Sequence, residues 1–286
     1  MPELPEVAAL AAGLTERMHG RVITAARLRS VGALKTYDPP LQALLGCSVR
    51  GWSRHGKFLD MAADEVHLVV HLARAGWIRW KDRLAEARVS LRGPLALQLE
   101  LEGGAGIDIT EQGTEKRLAL YVVRNPLTDV PGIARLGVDV LDASLDTARL
   151  AELFQHRRGQ LKTVLADQSV IAGVGNAYSD EVLHAARLSP FRQAAALSAD
   201  ELARLYGALR SVMAEAVERA AAVDIGELKP DKKQHLRVHG RAGQPCPTCA
   251  DTIREVSLSS RSFQYCPTCQ TDGRILADRR LSKLLR

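Results

Sequence analysis

The sequence predicts an α+β chain in three consecutive parts: a helix leading into a largely antiparallel sheet, a helical stretch, and a small metal-held hairpin. Three observations carry this expectation. Short apolar or alternating segments separated by Gly, Pro and charged turns fill the first half. Ala, Leu, Glu and Arg dominate from about residue 146 to Val223. Cys246-x-x-Cys249 is followed, after sixteen residues, by Cys266-x-x-Cys269.

The first element is a helix over Ala8 to Met18, whose Ala- and Leu-rich spacing follows Pro and Glu residues suited to a helix start. Strands are expected at Val22–Leu28, Ser48–Trp52, Phe58–Met61, His67–Leu72, Leu95–Leu101 and Leu118–Val123. The character changes around Gly137–Asp146, beyond which helices are expected. Asp224–Gly243, polar and rich in Lys, reads as a loop. At the end, two close cysteine pairs satisfy a tetrahedral zinc ion and leave no open position, so the ion is structural. Cys47 is left over and reads as a small buried hydrophobe.

With 286 residues the chain is long enough for two domains that each bury a core. The formal charge is +6. From Lys229 to Arg286 twelve Lys or Arg face five Asp or Glu, a local +7, so the remainder is nearly balanced. A basic module on a neutral body suits a polyanion, nucleic acid first, with a merely solvated surface as the alternative. Zinc with four thiolates offsets about two of those charges. No apolar run approaches the roughly 18 residues of a spanning helix, and no basic segment leads into an apolar run at the start. Neither a membrane nor a secreted protein is expected, and a reducing cytoplasm suits the cysteines.

Four places carry residues with chemical potential. Pro2, Glu3 and Glu6 either begin a helix, with carboxylates at its positive end, or supply a reactive terminus. If Met1 is removed, Pro2 becomes a secondary amine beside Glu3, and an N-terminal amine titrates near 8, so a useful fraction is nucleophilic at neutral pH. Lys57, after Gly56 at the start of an apolar strand, reaches a phosphate or is an ordinary strand-end charge. In Asp167–Glu181 a Gly173-x-Gly175-Asn176 turn between helical segments offers amides to a phosphate, or is only a tight linker; Asn176 can cap the second helix and also donate. Arg261, between the cysteine pairs, sits at the tip of a rigid hairpin, facing phosphate or solvent.

Taken in order, PELPEV, the GK strand, DQSVIAGVGNAYSDEVL, RVHGRAGQPC and the CPTC to CPTC hairpin resemble the bacterial formamidopyrimidine-DNA glycosylase and endonuclease VIII family over nearly the whole chain. The resemblance implies a two-layer β-sandwich catalytic domain (1–138), a helix-two-turn-helix domain (146–228) and a zinc-finger domain (236–286) acting on damaged double-stranded DNA. It implies one structural zinc on Cys246, Cys249, Cys266 and Cys269, no organic cofactor, and a monomer in the cytoplasm at the nucleoid. Pro2 is then similar to the amine that attacks C1′, Glu3 to the acid that assists ring opening, and Glu6 to a supporting carboxylate. Lys57, Asn176 and Arg261 are similar to the clamp on phosphates flanking a flipped nucleotide. The implied activity is bifunctional: base excision through a Schiff base, then strand cutting by β- and δ-elimination.

Two departures bear on substrate. In the run His71-Leu72-Ala73-Arg74, Arg74 stands where the oxidised-purine enzymes of the family carry a Met wedge. The nearest match to their second wedge is Val122–Leu127, which keeps Arg124 and lacks the Phe. The short Asp224–Lys233 segment also differs from the longer glycine-rich loop over oxidised guanine in those enzymes. Oxidised pyrimidines, hydantoins, ring-opened purines and abasic sites are equally open, and a non-catalytic binder of damaged DNA is the third alternative.

Overall fold

The computed structural model describes residues 1–84, 93–258 and 261–277. The chain divides into two compact units, Met1–Leu136 with Arg219–Lys229, and Gly137–Glu218 with Pro230–Arg286.

The first unit begins with α1 (Leu4–Met18). Glu3 caps it reciprocally: the Glu3 carboxylate accepts the Glu6 backbone N–H, and the Glu3 N–H donates to Glu6 Oε2 at 2.7 Å. Leu4, Val7, Leu10, Leu14 and Met18 recur at helical spacing and are fully buried. Eight strands follow: β1 (Ile23–Leu28), β2 (Val49–His55), β3 (Phe58–Ala63), β4 (Val66–His71), β5 (Gly76–Lys81), β6 (Leu95–Leu101), β7 (Gly106–Glu111) and β8 (Ala119–Val123). They form two antiparallel sheets, ordered β1-β6-β7-β5 and β2-β3-β4-β8. Leu97, Leu99, Ile107 and Ile109 of the first share one core with Leu59, Met61, Leu68, Val70, Leu120 and Val122 of the second, which makes the unit a β-sandwich. On the outer face of the second sheet, Phe58, Val69, Tyr121 and Val123 pack against Val130 and Ile133 from the short helices α2 (Pro126–Asp129) and α3 (Pro131–Ala134) and the residue between them.

β5 and β7 are absent from the strands the sequence predicts. Gly76, Gly106 and Asp108 read as turn residues in isolation, but each strand finds hydrogen-bonded partners in the first sheet, and Gly106 faces Leu99 so closely that a Cβ would lie 2.0 Å from its carbonyl oxygen. Cys47 is half-buried rather than buried, its thiol donating to the Ala43 carbonyl at 3.2 Å.

The second unit pairs two short parallel strands, β9 (Val138–Asp139) and β10 (Ile171–Ala172), among α4 (Thr147–Phe154), α5 (Leu161–Leu165), α6 (Asn176–Ala185) and the long α7 (Ala199–Ala221). The expected loop over Asp224–Gly243 contains a helix, α8 (Leu228–His235). Its sequence has no apolar period, which hides it. Pro230 is tolerated in the first turn, Lys232, Lys233 and His235 fall in the last turn, and Asp231 pairs with His235 at 3.0 Å. The hairpin of β11 (Arg254–Leu258) and β12 (Arg261–Tyr265) and the short α9 (Pro267–Thr271) complete the unit. No helix among the described residues is long and apolar enough to cross a membrane.

Candidate functional site

In the first unit the chain start is built inward. Met1 is 48% exposed, whereas Pro2 is buried and Glu3 and Glu6 are each 2% exposed. While Met1 is attached the Pro2 nitrogen is an amide, and its removal frees a secondary amine one residue from a buried acid whose backbone the Glu6 carboxylate holds. Lys57, 5% exposed, occupies the two-residue turn Gly56-Lys57 closed by the His55–Phe58 pair, with Gly56 at φ 55°. The Phe58 ring lies 4.5 Å from that of His71, and a Cβ on Gly132 would fall 2.4 Å from Phe58 Cζ. Burial, then the Lys57 charge, lowers the pKa of His71 to about 4, so this ring is neutral at physiological pH. Sequence reasoning passes over His71, although it stands in the run that supplies Arg74.

Arg74 is exposed on the turn between β4 and β5, after Ala73 in the left-handed region at φ 48°. Arg124 is exposed as well, but it follows β8 at the opposite end of the β4–β8 ladder, which runs from His71–Ala119 to His67–Val123. Four residue steps, about 14 Å of strand, separate the two ends. The structure therefore does not bring Arg124 to Arg74. The neighbour of the Arg74 turn is the exposed segment 112–117 between β7 and β8: Gln112 N–H donates to the Ala75 carbonyl at 3.2 Å. Buried Glu111 fixes its base by accepting the amides of Arg117 at 2.6 Å and Leu118 at 2.8 Å. Strand register sets this neighbour, and register is not legible in a sequence that hides β5 and β7.

In the second unit Asn176 is the first residue of α6. Gly175, not Asn176, occupies the cap position, and the Asn176 side-chain amide donates to the Ser262 carbonyl on β12 at 2.9 Å. Asn176 is thus tied to the strand that Arg261 opens, while the Arg261 side chain lies outside the described residues. Beneath it, buried Lys162 donates to the Asn176 carbonyl at 2.5 Å, Ser179 Oγ at 2.9 Å and Asp180 Oδ1 at 2.5 Å. Asp180 Oδ2 meets His239 Nδ1 at 2.6 Å and the Gln264 N–H at 3.2 Å. Glu181 accepts the amides of Arg237, Val238 and His239 at 2.8, 3.0 and 2.8 Å; burial pushes its carboxyl pKa up against those donors. Lys162 and Asp180 carry no sequence signal of this role.

The sulfurs of Cys246, Cys249, Cys266 and Cys269 all lie within 4.8 Å of one another, with Cys246–Cys269 at 3.9 Å. Tetrahedral zinc at about 2.3 Å from each sulfur needs separations of roughly 3.8 Å, so the cluster fits that ion. His184 Nε2 lies 3.2 Å from Cys246 Sγ, and burial first, then the charges of Arg237 and Arg187, lowers the pKa of His184.

Family models match in the same order as these parts: formamidopyrimidine-DNA glycosylase N-terminal domain over residues 1–113, the H2TH domain over 136–225 and the zinc finger found in FPG and IleRS over 243–271. The formamidopyrimidine-DNA glycosylase of Moorella thermoacetica is 34% identical over 264 residues, covering 90% of this chain and 94% of that one. The chain belongs to the formamidopyrimidine-DNA glycosylase family. Within this family of DNA-repair glycosylases, an uncharacterized formamidopyrimidine-DNA glycosylase-like protein of Mycobacterium tuberculosis is 52% identical over 160 residues, 56% of this chain and all of that one. The crystal structure of the MutM (Fpg) protein of Thermus thermophilus superposes with a TM-score of 0.79 at 31% identity, covering 94% and 98% of the two chains. The Lactococcus lactis glycosylase in complex with abasic-site DNA, at 22% identity and a TM-score of 0.83 with 94% and 100% covered, shares the fold.

Proposed function

We propose that the protein is a bifunctional DNA glycosylase with abasic-site lyase activity that acts as a monomer on damaged duplex DNA in the cytoplasm. The observation that carries this reading is the buried chain start, where Pro2 adjoins Glu3 and Glu6 grips the Glu3 backbone. Once Met1 is removed, the Pro2 nitrogen attacks C1′ and the N-glycosidic bond breaks, with Glu3 protonating the sugar-ring oxygen as the ring opens. The resulting iminium withdraws electrons from C2′, a proton leaves there, and the 3′ phosphate departs; the second elimination expels the 5′ phosphate. Lys57, Asn176 and Arg261 hold the flanking phosphates, which offsets the few kcal/mol that nucleotide flipping costs. A zinc ion on the four cysteines would brace the hairpin and take no part in the chemistry.

Substrate choice follows from the probing loops. Arg74 and the neighbouring exposed segment 112–117 present Arg74, Lys116 and Arg117 and no aromatic side chain. That surface favours a second emphasis, on abasic sites and on pyrimidine or hydantoin lesions, over oxidised guanine opposite cytosine. The test is incision of duplexes bearing each lesion by protein whose mass confirms loss of Met1. Cutting of an abasic duplex that a Pro2→Gly variant reduces at least about a hundredfold is expected; equal cutting by the two proteins would overturn the assignment of the amine.

A further inference from the structure

Behind the Lys57 turn lies a side-chain cluster that the proposed chemistry does not use. Asp60, 5% exposed, meets His55 Nε2 through Oδ2 at 3.0 Å and His67 Nδ1 through Oδ1 at 2.8 Å. His55 is on β2, Asp60 on β3 and His67 on β4. Because Asp60 stands opposite Ser53 and Val69, it reaches diagonally to a histidine on each neighbouring strand, one oxygen to each ring. His55 is also the cross-strand partner of Phe58, and that pair closes the Gly56-Lys57 turn. The same face also carries the apolar cluster of Phe58, Val69, Tyr121 and Val123. An apolar residue at position 60 would suit burial there; a carboxylate costs desolvation and supplies direction instead.

We infer that Asp60 is a positioning residue for Lys57. It holds His55, His55 fixes the end of β2, and the His55–Phe58 pair then fixes the turn from which the buried Lys57 side chain leaves the sheet. Phe58, lodged between His71 and Gly132, holds the other end of the turn. In this arrangement the three cluster residues act through the lysine.

The inference rests on Lys57 as a phosphate ligand, so the test is a double-mutant cycle on the full-length, zinc-loaded protein lacking Met1. Binding to a duplex with a tetrahydrofuran abasic analogue is measured by fluorescence anisotropy across a salt series for wild type, Asp60→Ala, Lys57→Ala and the double variant. Lys57→Ala should weaken binding about tenfold and reduce the slope of log K against log salt by about one. Asp60→Ala should reproduce most of both changes and add nothing to Lys57→Ala, whereas Asp60→Asn, whose single amide oxygen can still accept from His55, should keep binding and slope close to wild type. His55→Phe tests the same link with Asp60 still paired to His67 and should match Asp60→Ala, which covers misfolding of the latter. Losses that add to Lys57→Ala, or an unchanged salt slope, would overturn the positioning role with Lys57 intact. An unchanged Lys57→Ala protein would remove the phosphate reading itself, and the positioning role with it.

Discussion

His71 shows how one residue links the site to stability. Burial and the Lys57 charge hold its folded pKa near 4, against about 6.5 in the unfolded chain. Below pH 6.5 the unfolded chain binds this proton before the folded chain does. The contribution is therefore fully present above pH 6.5 and is lost as pH falls towards 4, at most about 3 kcal/mol. His71→Phe, which keeps a ring against Phe58, should flatten this acid limb: the urea midpoints at pH 7 and pH 4.5 should lie closer together than in the wild type. An equal fall in both proteins would show that His71 does not carry it. Pro2, Glu3, Glu6, Lys57 and Asn176 are legible as candidates because the motifs PELPEV, GK and GVGN occur together and in order. The partners that give them geometry, His71, Asp60, Lys162 and Asp180, are not, because a buried polar pair separated by many residues leaves no periodic trace in a sequence.

Among the elements, α6 does the most connecting. Asn176 opens it, Asp180 and Glu181 bind the segment 237–239 and β12 from its middle, and His184 meets Cys246 near its end. Asp180→Ala would leave the Lys162 ammonium buried without its carboxylate, and the loss of such a partner costs about 3–5 kcal/mol. Chemical denaturation should show that loss, and the double variant Lys162→Met/Asp180→Leu should recover only the part due to the unpaired ammonium, because His239 Nδ1 and the Gln264 N–H lose their Asp180 acceptor in both variants. Elements with strong local signals, such as α1 with its capping box and α7 with its helix formers, are readable directly. β5, β7 and α8 are not. Two of them are strands with turn-like glycines whose partners lie in other parts of the sheet, and the third is a polar helix in which the charge pattern agrees with its dipole but no apolar stripe marks it.

At the scale of the molecule, the three-part order of sandwich, helical and zinc-finger segments is legible because each part has a separate signature: alternation, helix composition and paired cysteines. Lesion preference is less so, since it depends on which loops stand together. Strand register sets Arg74 beside segment 112–117 and leaves Arg124 at the far end of β8. The central claim is that a proline amine does the chemistry on DNA, and borohydride trapping tests it most directly. Protein shown by mass to lack Met1 is incubated with abasic-site duplex and borohydride, and the adduct is mapped by peptide mass spectrometry. The account predicts a covalent DNA adduct on Pro2 that is abolished when Met1 is retained. An adduct on a lysine instead, or none with intact binding, would contradict it.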